Sequence, residues 1–544
     1  MQLRGDNILA DTWSGPFAGE RSGTVAFKPA VGREISARRG ALRILARRAG
    51  STRDLAFLAI AVLICLRIVL AAVLPLSFDE AYYWLWSKHL AAGYLEHPAA
   101  IAVAIRAGTF LFGDTEFGVR AIPLLASVLA SWAVWRSAAI ILSDGSAGAI
   151  ASLLFNATLM VAAEGLAATP DSLLVAAAAM LVWAIAELER TQNGRWWFAV
   201  GAAAGVAIAA KYTGIFLCAA VAVSLVAGAF RRQAHPGRAW LKTIWPFAGA
   251  AVALALFAPT LYWNALHGFI SFRFQAGRVL IDHPGARYLL EFLGSQMALA
   301  SPGVILLAGM SSCRILRHRD AHPCMGLVSL VVWLPLGFFL LHSLHDRVQG
   351  NWPSFVYPAL AILAAKSFRE IPHAAAPSRT ARLVRISAIP LCGVILAVAY
   401  AQAFFGVFPM GRSDPIARMT AVGFQPVARR IADYAEKTRA RAIVTTNYPT
   451  TSWLRFYERP RLPIIQIADA NRFLSSPRAT RDAFGGNLLY VTRHPRRDLP
   501  AVLAHFSTAA LLGVVVRLRQ GQPIDKFAIF TIGGLRGPPP GRVP

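Results

Sequence analysis

The 544-residue chain is 56% hydrophobic and only 15% charged, with a mean hydropathy of +0.49. That excludes a soluble protein of ordinary domain sizes and leaves a polytopic membrane protein. The formal charge of +27 falls largely in loops beside apolar runs, where anionic lipid headgroups balance it, so it gives no ground for a nucleic-acid partner.

Residues 1–54 carry ten basic and five acidic side chains among Gly, Ser and Arg and are expected to form a disordered basic tail. No cleavable leader is expected, because the first apolar run is long enough to stay as an anchor. Runs of near-spanning length follow at 55–76, 119–141, 146–163, 171–187, 196–210, 213–230, 243–263, 290–312, 324–342, 353–368 and 386–405, eleven in all. Residues 99–112 are apolar but shorter, carry Arg106 and end in Gly113-Asp114; a short span and an interfacial helix both fit. The five cysteines are scattered, with no CxxC pair, and read as small packing residues.

The basic tail places the N-terminus inside, and alternate junctions keep that side basic: Arg231, Arg232, Arg238 and Lys242; then Arg314, Arg317 and Arg319; then Lys366, Arg369, Arg379, Arg382 and Arg385. With eleven spans the segment after 405 lies outside. Residues 406–544 hold 21 Lys plus Arg against eight Asp plus Glu, which suits either an acidic envelope neighbour or simply an Arg-rich surface. A helix near 427–438 and β-branched runs at 442–446, 464–467, 488–492, 512–518 and 527–532 predict a compact α/β module.

On this topology the polar clusters share the outer face: Asp79, Glu80, Glu96 and His97; Glu164, Thr169 and Asp171; Lys211 and Tyr212; Asn264, His267, Arg273, Arg278, Asp282 and His283; His345, Asp346, Arg347, Asn351 and Trp352. One outer-leaflet site built from several loops accounts for all of them. Each has a structural alternative. Ser77-x-x-Glu80 spells a capping box, which favours a backbone role for Glu80. Thr169-Pro170-Asp171 is a strong helix start. Asp79 has no such duty and sits in a first helical turn, where a carboxylate is stabilised.

Taken together, Phe78-Asp79-Glu80-Ala81-Tyr82-Tyr83, Tyr94-Leu95-Glu96-His97-Pro98, the stretch from Phe112 to Arg120, Ala168-Thr169-Pro170-Asp171, Lys211-Tyr212-Thr213-Gly214, Tyr262-Trp263-Asn264 and Gln349-Gly350-Asn351-Trp352-Pro353 resemble the bacterial family 39-type glycosyltransferases. These GT-C membrane enzymes are related to protein O-mannosyltransferases, the lipid A aminoarabinose transferase and the lipopolysaccharide galacturonosyltransferases. Ala99 departs from the pattern, since relatives commonly have a second proline there. The resemblance implies a mainly α GT-C fold of about 11–13 transmembrane helices over residues 55–405, with a small α/β domain at 406–544 on the outer face of a bacterial inner membrane.

It also implies inverting transfer of a sugar from a polyprenyl-phosphate donor to a lipid A, core oligosaccharide or other glycan hydroxyl. Asp79, Glu80 and Asp171 are the candidate catalytic carboxylates, with Asp79 matching the family's first-loop base. Glu96, His97, Lys211, Tyr212, Asn264, His267, Arg273, Arg347, Asn351 and Trp352 are candidate donor-phosphate or substrate contacts. No cofactor is established by the residues; a divalent metal ion is possible, with Glu96 and His267 as candidate ligands. Two other classes stay open, a lipid-linked sugar flippase or transporter and a non-catalytic envelope-assembly subunit. A transporter would show paired halves and charges near the midplane, which this chain does not.

Overall fold

The computed structural model describes residues 52–230, 240, 243–280, 285–318, 324–374, 376–458 and 462–544. The expected N-terminal tail, Arg231, Arg232, Arg238, Lys242 and Arg319 of the charge reading, and Asp282 and His283 lie outside them.

The helices in chain order are α1 Thr52–Val73, α2 Phe78–Lys88, α3 Ala100–Phe112, α4 Glu116–Ile141, α5 Gly145–Ala157, α6 Leu159–Glu164, α7 Pro170–Thr191, α8 Trp196–Ala210, α9 Ile215–Phe230, α10 Trp245–Leu266, α11 Ile270–Leu280, α12 Ala286–Ala300, α13 Pro302–His318, α14 Cys324–His342, α15 Tyr357–Glu370 and α16 Arg379–Phe405. Among the described residues six are long and apolar enough to cross a membrane, or seven if the bent pair α12 and α13 counts as one.

Every apolar run read from the sequence is helical, but two are broken. The 290–312 run turns by 98° between α12 and α13, where Ser301 adopts φ 72°. Pro302 lacks an N–H and disfavours α geometry in its predecessor. The 146–163 run breaks at Thr158, whose ψ of 143° ends α5 and caps α6. The break orphans carbonyls, and the buried Arg67 of α1 donates to the Asn156 carbonyl at 2.8 Å and to its Oδ1 at 2.7 Å.

Glycine sets the closest helix crossing. A Cβ on Gly201 of α8 would stand 2.0 Å from the Gly249 carbonyl oxygen of α10, so Gly201→Ala must push the two helices apart. The expected cost is about 1–3 kcal/mol, read as a lowered Tm of the purified protein.

After α16 come α17 Pro415–Met419, α18 Phe424–Lys437, α19 Tyr448–Tyr457 and α20 Pro495–Leu503, interleaved with β1 Ala442–Thr445, β2 Ile464–Gln466, β3 Leu488–Thr492, β4 Phe506–Arg519 and β5 Gln522–Leu535. The sheet order is β2-β1-β3-β5-β4, with β1 parallel to β2 and β3, and β5 antiparallel to β3 and β4. The β4–β5 hairpin turns through Gln520 and Gly521, both at positive φ, the geometry a two-residue hairpin favours.

This module is not a separate lobe: residues 52–544 form one compact unit. Tyr82, Trp86, Tyr94 and Ile101 of the segment after α1 share a single hydrophobic core with Phe424, Trp453, Phe473 and Phe527 of the module. The aromatic run Tyr82, Tyr83, Trp84 and Trp86 is buried against protein.

Candidate active site where the first loop meets the C-terminal module

The first loop enters α2 through Ser77. Its Oγ accepts from the Glu80 N–H at 3.1 Å, and the Glu80 carboxylate accepts from the Ser77 N–H at 2.8 Å, so the capping box forms. Glu80 Oε1 lies 2.6 Å from Arg120 Nε and Oε2 lies 2.8 Å from Arg120 Nη2. Oε1 also accepts from the Ala168 N–H at 3.0 Å. Both ionic side chains are 1% exposed, and Arg120 further donates to the Ala71, Leu74 and Pro75 carbonyls at the end of α1. The guanidinium outweighs burial and holds the Glu80 carboxyl below its ordinary value. Although Glu80 stands among the candidate catalytic acids, every contact it makes is structural.

Asp79, one residue earlier, has none of these partners. It accepts a hydrogen bond from Tyr448 Oη at 3.2 Å, and Tyr448 belongs to the C-terminal module. Burial, reinforced by the Glu96 carboxylate, pushes Asp79 up to about 7; the Tyr448 hydrogen bond and Arg472 pull the other way. Glu96 is ion-paired with Arg472, whose guanidinium lies 4.4 Å from the centre of the Tyr448 ring. Neither Tyr448 nor Arg472 was marked by the sequence, because each lies more than 350 positions from its partner and in no recognisable motif.

A second cluster forms where α7 begins. Thr169 caps the helix, and Asp171 at its start is 3% exposed. Lys211 Nζ meets both Asp171 oxygens at 2.8 Å; Asn351 Nδ2 and Ser354 Oγ donate to the same carboxylate at 3.0 Å. Glu164 is close by, accepting from Thr169 Oγ1 at 2.6 Å.

His97 lies between the two clusters. Its ring packs against Tyr83 and Trp86, and its Nδ1 is buried with no hydrogen-bond partner among the described residues. Burial, then the charges of Lys211, Arg278 and Arg472, drives its pKa well down, so His97 is neutral amid three cations. Arg278 stacks on Trp352 at 5.4 Å.

The remaining candidates divide. Tyr212 accepts from Asn264 Nδ2 at 3.3 Å, and Asn264 Oδ1 accepts from the Ser271 N–H at 3.3 Å, a framework that holds α10 and α11 together. His267 is exposed, stacked on Trp263 at 4.0 Å with Nδ1 2.8 Å from that residue's carbonyl. Arg273 is exposed. Arg347 is spent on Glu291 at the surface, where solvent-facing pairing is cheap; the structure does not bring it to the clusters.

Among the described residues the candidate ligands Glu96 and His267 are not assembled for a metal. Glu96 already holds a guanidinium, and no three His, Cys, Asp or Glu side chains among the described residues are grouped to bind an ion.

Comparison with known proteins identifies the fold. The chain has the fold of ArnT from Cupriavidus metallidurans, in its form bound to undecaprenyl phosphate, with a TM-score of 0.58 and 17% identity over 89% of this chain and 99% of that one. The apo form of the same protein gives 0.55, covering 87% and 97%. This is a GT-C fold with a small C-terminal sheet.

Residues 96–263 match the family model described as dolichyl-phosphate-mannose-protein mannosyltransferase. The chain is also similar to the lipid A galacturonosyltransferase RgtD of Rhizobium johnstonii, 26% identical over 318 residues. That match spans 56% of this chain and 64% of the relative's length.

Proposed function

We propose that the protein is an inverting glycosyltransferase that moves a sugar from a polyprenyl-phosphate donor to an acceptor hydroxyl at the outer face of a bacterial inner membrane, with the N-terminus cytoplasmic and the 406–544 module outside. The observation that carries this reading is the placement of Asp79, a buried carboxylate pushed up to about 7, near Arg472, one of the three cations whose charges bear on His97.

The acceptor oxygen attacks the anomeric carbon as Asp79 takes its proton. The bond from that carbon to the phosphate oxygen breaks, and its electron pair leaves with the polyprenyl phosphate. The leaving group is a stable anion and needs no proton, only cations that hold its charge. Lys211, oriented by Asp171, and Arg278, seated on Trp352, are placed for that. Glu80 and Arg120 brace the loop; Tyr212 and Asn264 brace α10 and α11. The name of the lipid A galacturonosyltransferase makes a uronosyl donor and lipid A the first pair to try, with core oligosaccharide and other envelope glycans next.

Purified protein in nanodiscs, given a polyprenyl-phosphate uronate and lipid A, is expected to yield lipid A heavier by one uronosyl residue in mass spectrometry. Lipopolysaccharide from a deletion strain is expected to lack that increment. Movement of labelled donor across the bilayer with no glycosylated product would replace this reading with the flippase.

A further inference from the structure

We propose that Tyr448 and Arg472, both supplied by the C-terminal module, are positioning residues for Asp79, so that the module completes the active site rather than merely covering it. The proposal rests on Asp79 acting as the base, as set out above.

Several contacts tie the helix that carries Asp79 to the module. Tyr448 Oη donates to Asp79 Oδ1 at 3.2 Å. One turn further along α2, Tyr82 Oη donates to the Arg472 carbonyl at 2.9 Å, and its ring lies 5.0 Å from that of Tyr448 and 5.4 Å from that of Phe473. The Arg472 guanidinium lies over the other side of this cluster, stacked on Tyr448 at 4.4 Å and ion-paired with Glu96.

Tyr448 is thereby fixed from two directions, its ring by a cation and its hydroxyl by the carboxylate. A phenol held this way allows Asp79 one rotamer and supports its ionised form. Arg472 has a second effect: it neutralises Glu96, whose charge otherwise bears directly on Asp79. The charged and titratable groups facing Asp79 are Glu96, Glu80, Arg472, Tyr448 and Tyr83, and Glu80 is already balanced by Arg120. The balance that the module alters is therefore the one between Glu96 and Arg472. None of these contacts touches the donor-side cluster of Asp171, Lys211 and Asn351, so their loss should appear in turnover and its pH dependence more than in donor affinity.

Tyr448→Phe keeps the ring beneath Arg472 and removes only the hydroxyl. The expected result is a kcat lower by about tenfold, as for loss of a hydrogen bond to a charged group. The acidic limb of the pH–rate profile should move to higher pH, with the donor KM within about twofold. Arg472→Met should move the limb the same way and further, and Arg472→Lys should return much of it by restoring the charge.

Size-exclusion behaviour and Tm of each variant report folding, and Asp79→Asn is run beside them. If Asp79→Asn is inactive while Tyr448→Phe and Arg472→Met match the wild type in kcat and in the position of the limb, the positioning role is overturned. If Asp79→Asn is fully active, the base assignment itself fails. Variants that lose kcat with no movement of the limb would reduce both residues to structural contacts.

Discussion

Asp79→Asn is expected to lower kcat by about 10²–10⁴-fold, the range for removing a positioned general base, with little change in expression, Tm or donor KM. Asparagine has the same size, and its side-chain oxygen can still accept from Tyr448; what it cannot do is take a proton. The pH dependence gives an independent reading of the same group. Asp79 works only when ionised, and burial together with Glu96 pushes it up to about 7. Wild-type kcat/KM should therefore fall roughly tenfold per pH unit below that value and level off above it. A base with an ordinary carboxylate pKa would show no loss between pH 6 and 8. Full turnover in purified Asp79→Asn protein would remove the base from the mechanism.

Local patterns were the legible ones. Every apolar run became a helix, and the capping box at Ser77 and Glu80 and the helix start at Thr169 form as their residue types require. The strands of the C-terminal module fall on the β-branched runs. The break at Ser301 was written in the Ser-Pro step but lay inside a hydrophobic run, and hydropathy averages over such a step.

Long-range pairing was not legible. Arg120 stands 40 positions from Glu80, Lys211 stands 40 from Asp171, and Asn351 stands 180 from it. Topology put such groups on one side without saying which would meet. Arg347 shows the limit of that reasoning: the topology groups it with the outer-face candidates, and Glu291 of α12 takes it at the surface. Tyr448 and Arg472 show the converse, because a basic, Arg-rich module conceals one functional arginine among many.

The shared core explains why the module and the first loop are energetically one object. Trp84, Trp86 and Tyr94 would be costly to leave in water. Tyr94 stacks on Trp86 at 4.1 Å, and Trp84 meets Phe456 of the module at 5.1 Å. The α2 helix is too short to be stable alone and takes its position from that packing. Asp79 therefore depends on residues 424–530 for its place, although it lies next to α1 in sequence.

The sharpest contrast in the site lies between neighbours. Glu80 and Arg120 are each 1% exposed and joined by two hydrogen bonds, so removing one partner leaves a buried, unpaired charge. Arg120→Met is expected to cost about 3–5 kcal/mol, read as a large fall in Tm and in the yield of folded protein. It also strips donors from the carbonyls that end α1. Glu80→Gln should also destabilise: the carboxylate uses one oxygen for the Ser77 N–H and the other for the Ala168 N–H, glutamine has a single acceptor oxygen, and Arg120 loses its counter-charge. The double variant Glu80→Gln/Arg120→Met should be less destabilised than the sum of the two, because no buried ion remains. Asp79→Asn should thus lose rate and keep its fold, whereas Arg120→Met should lose its fold. A Glu80→Gln protein with normal Tm and no turnover would transfer the chemistry from Asp79 to Glu80.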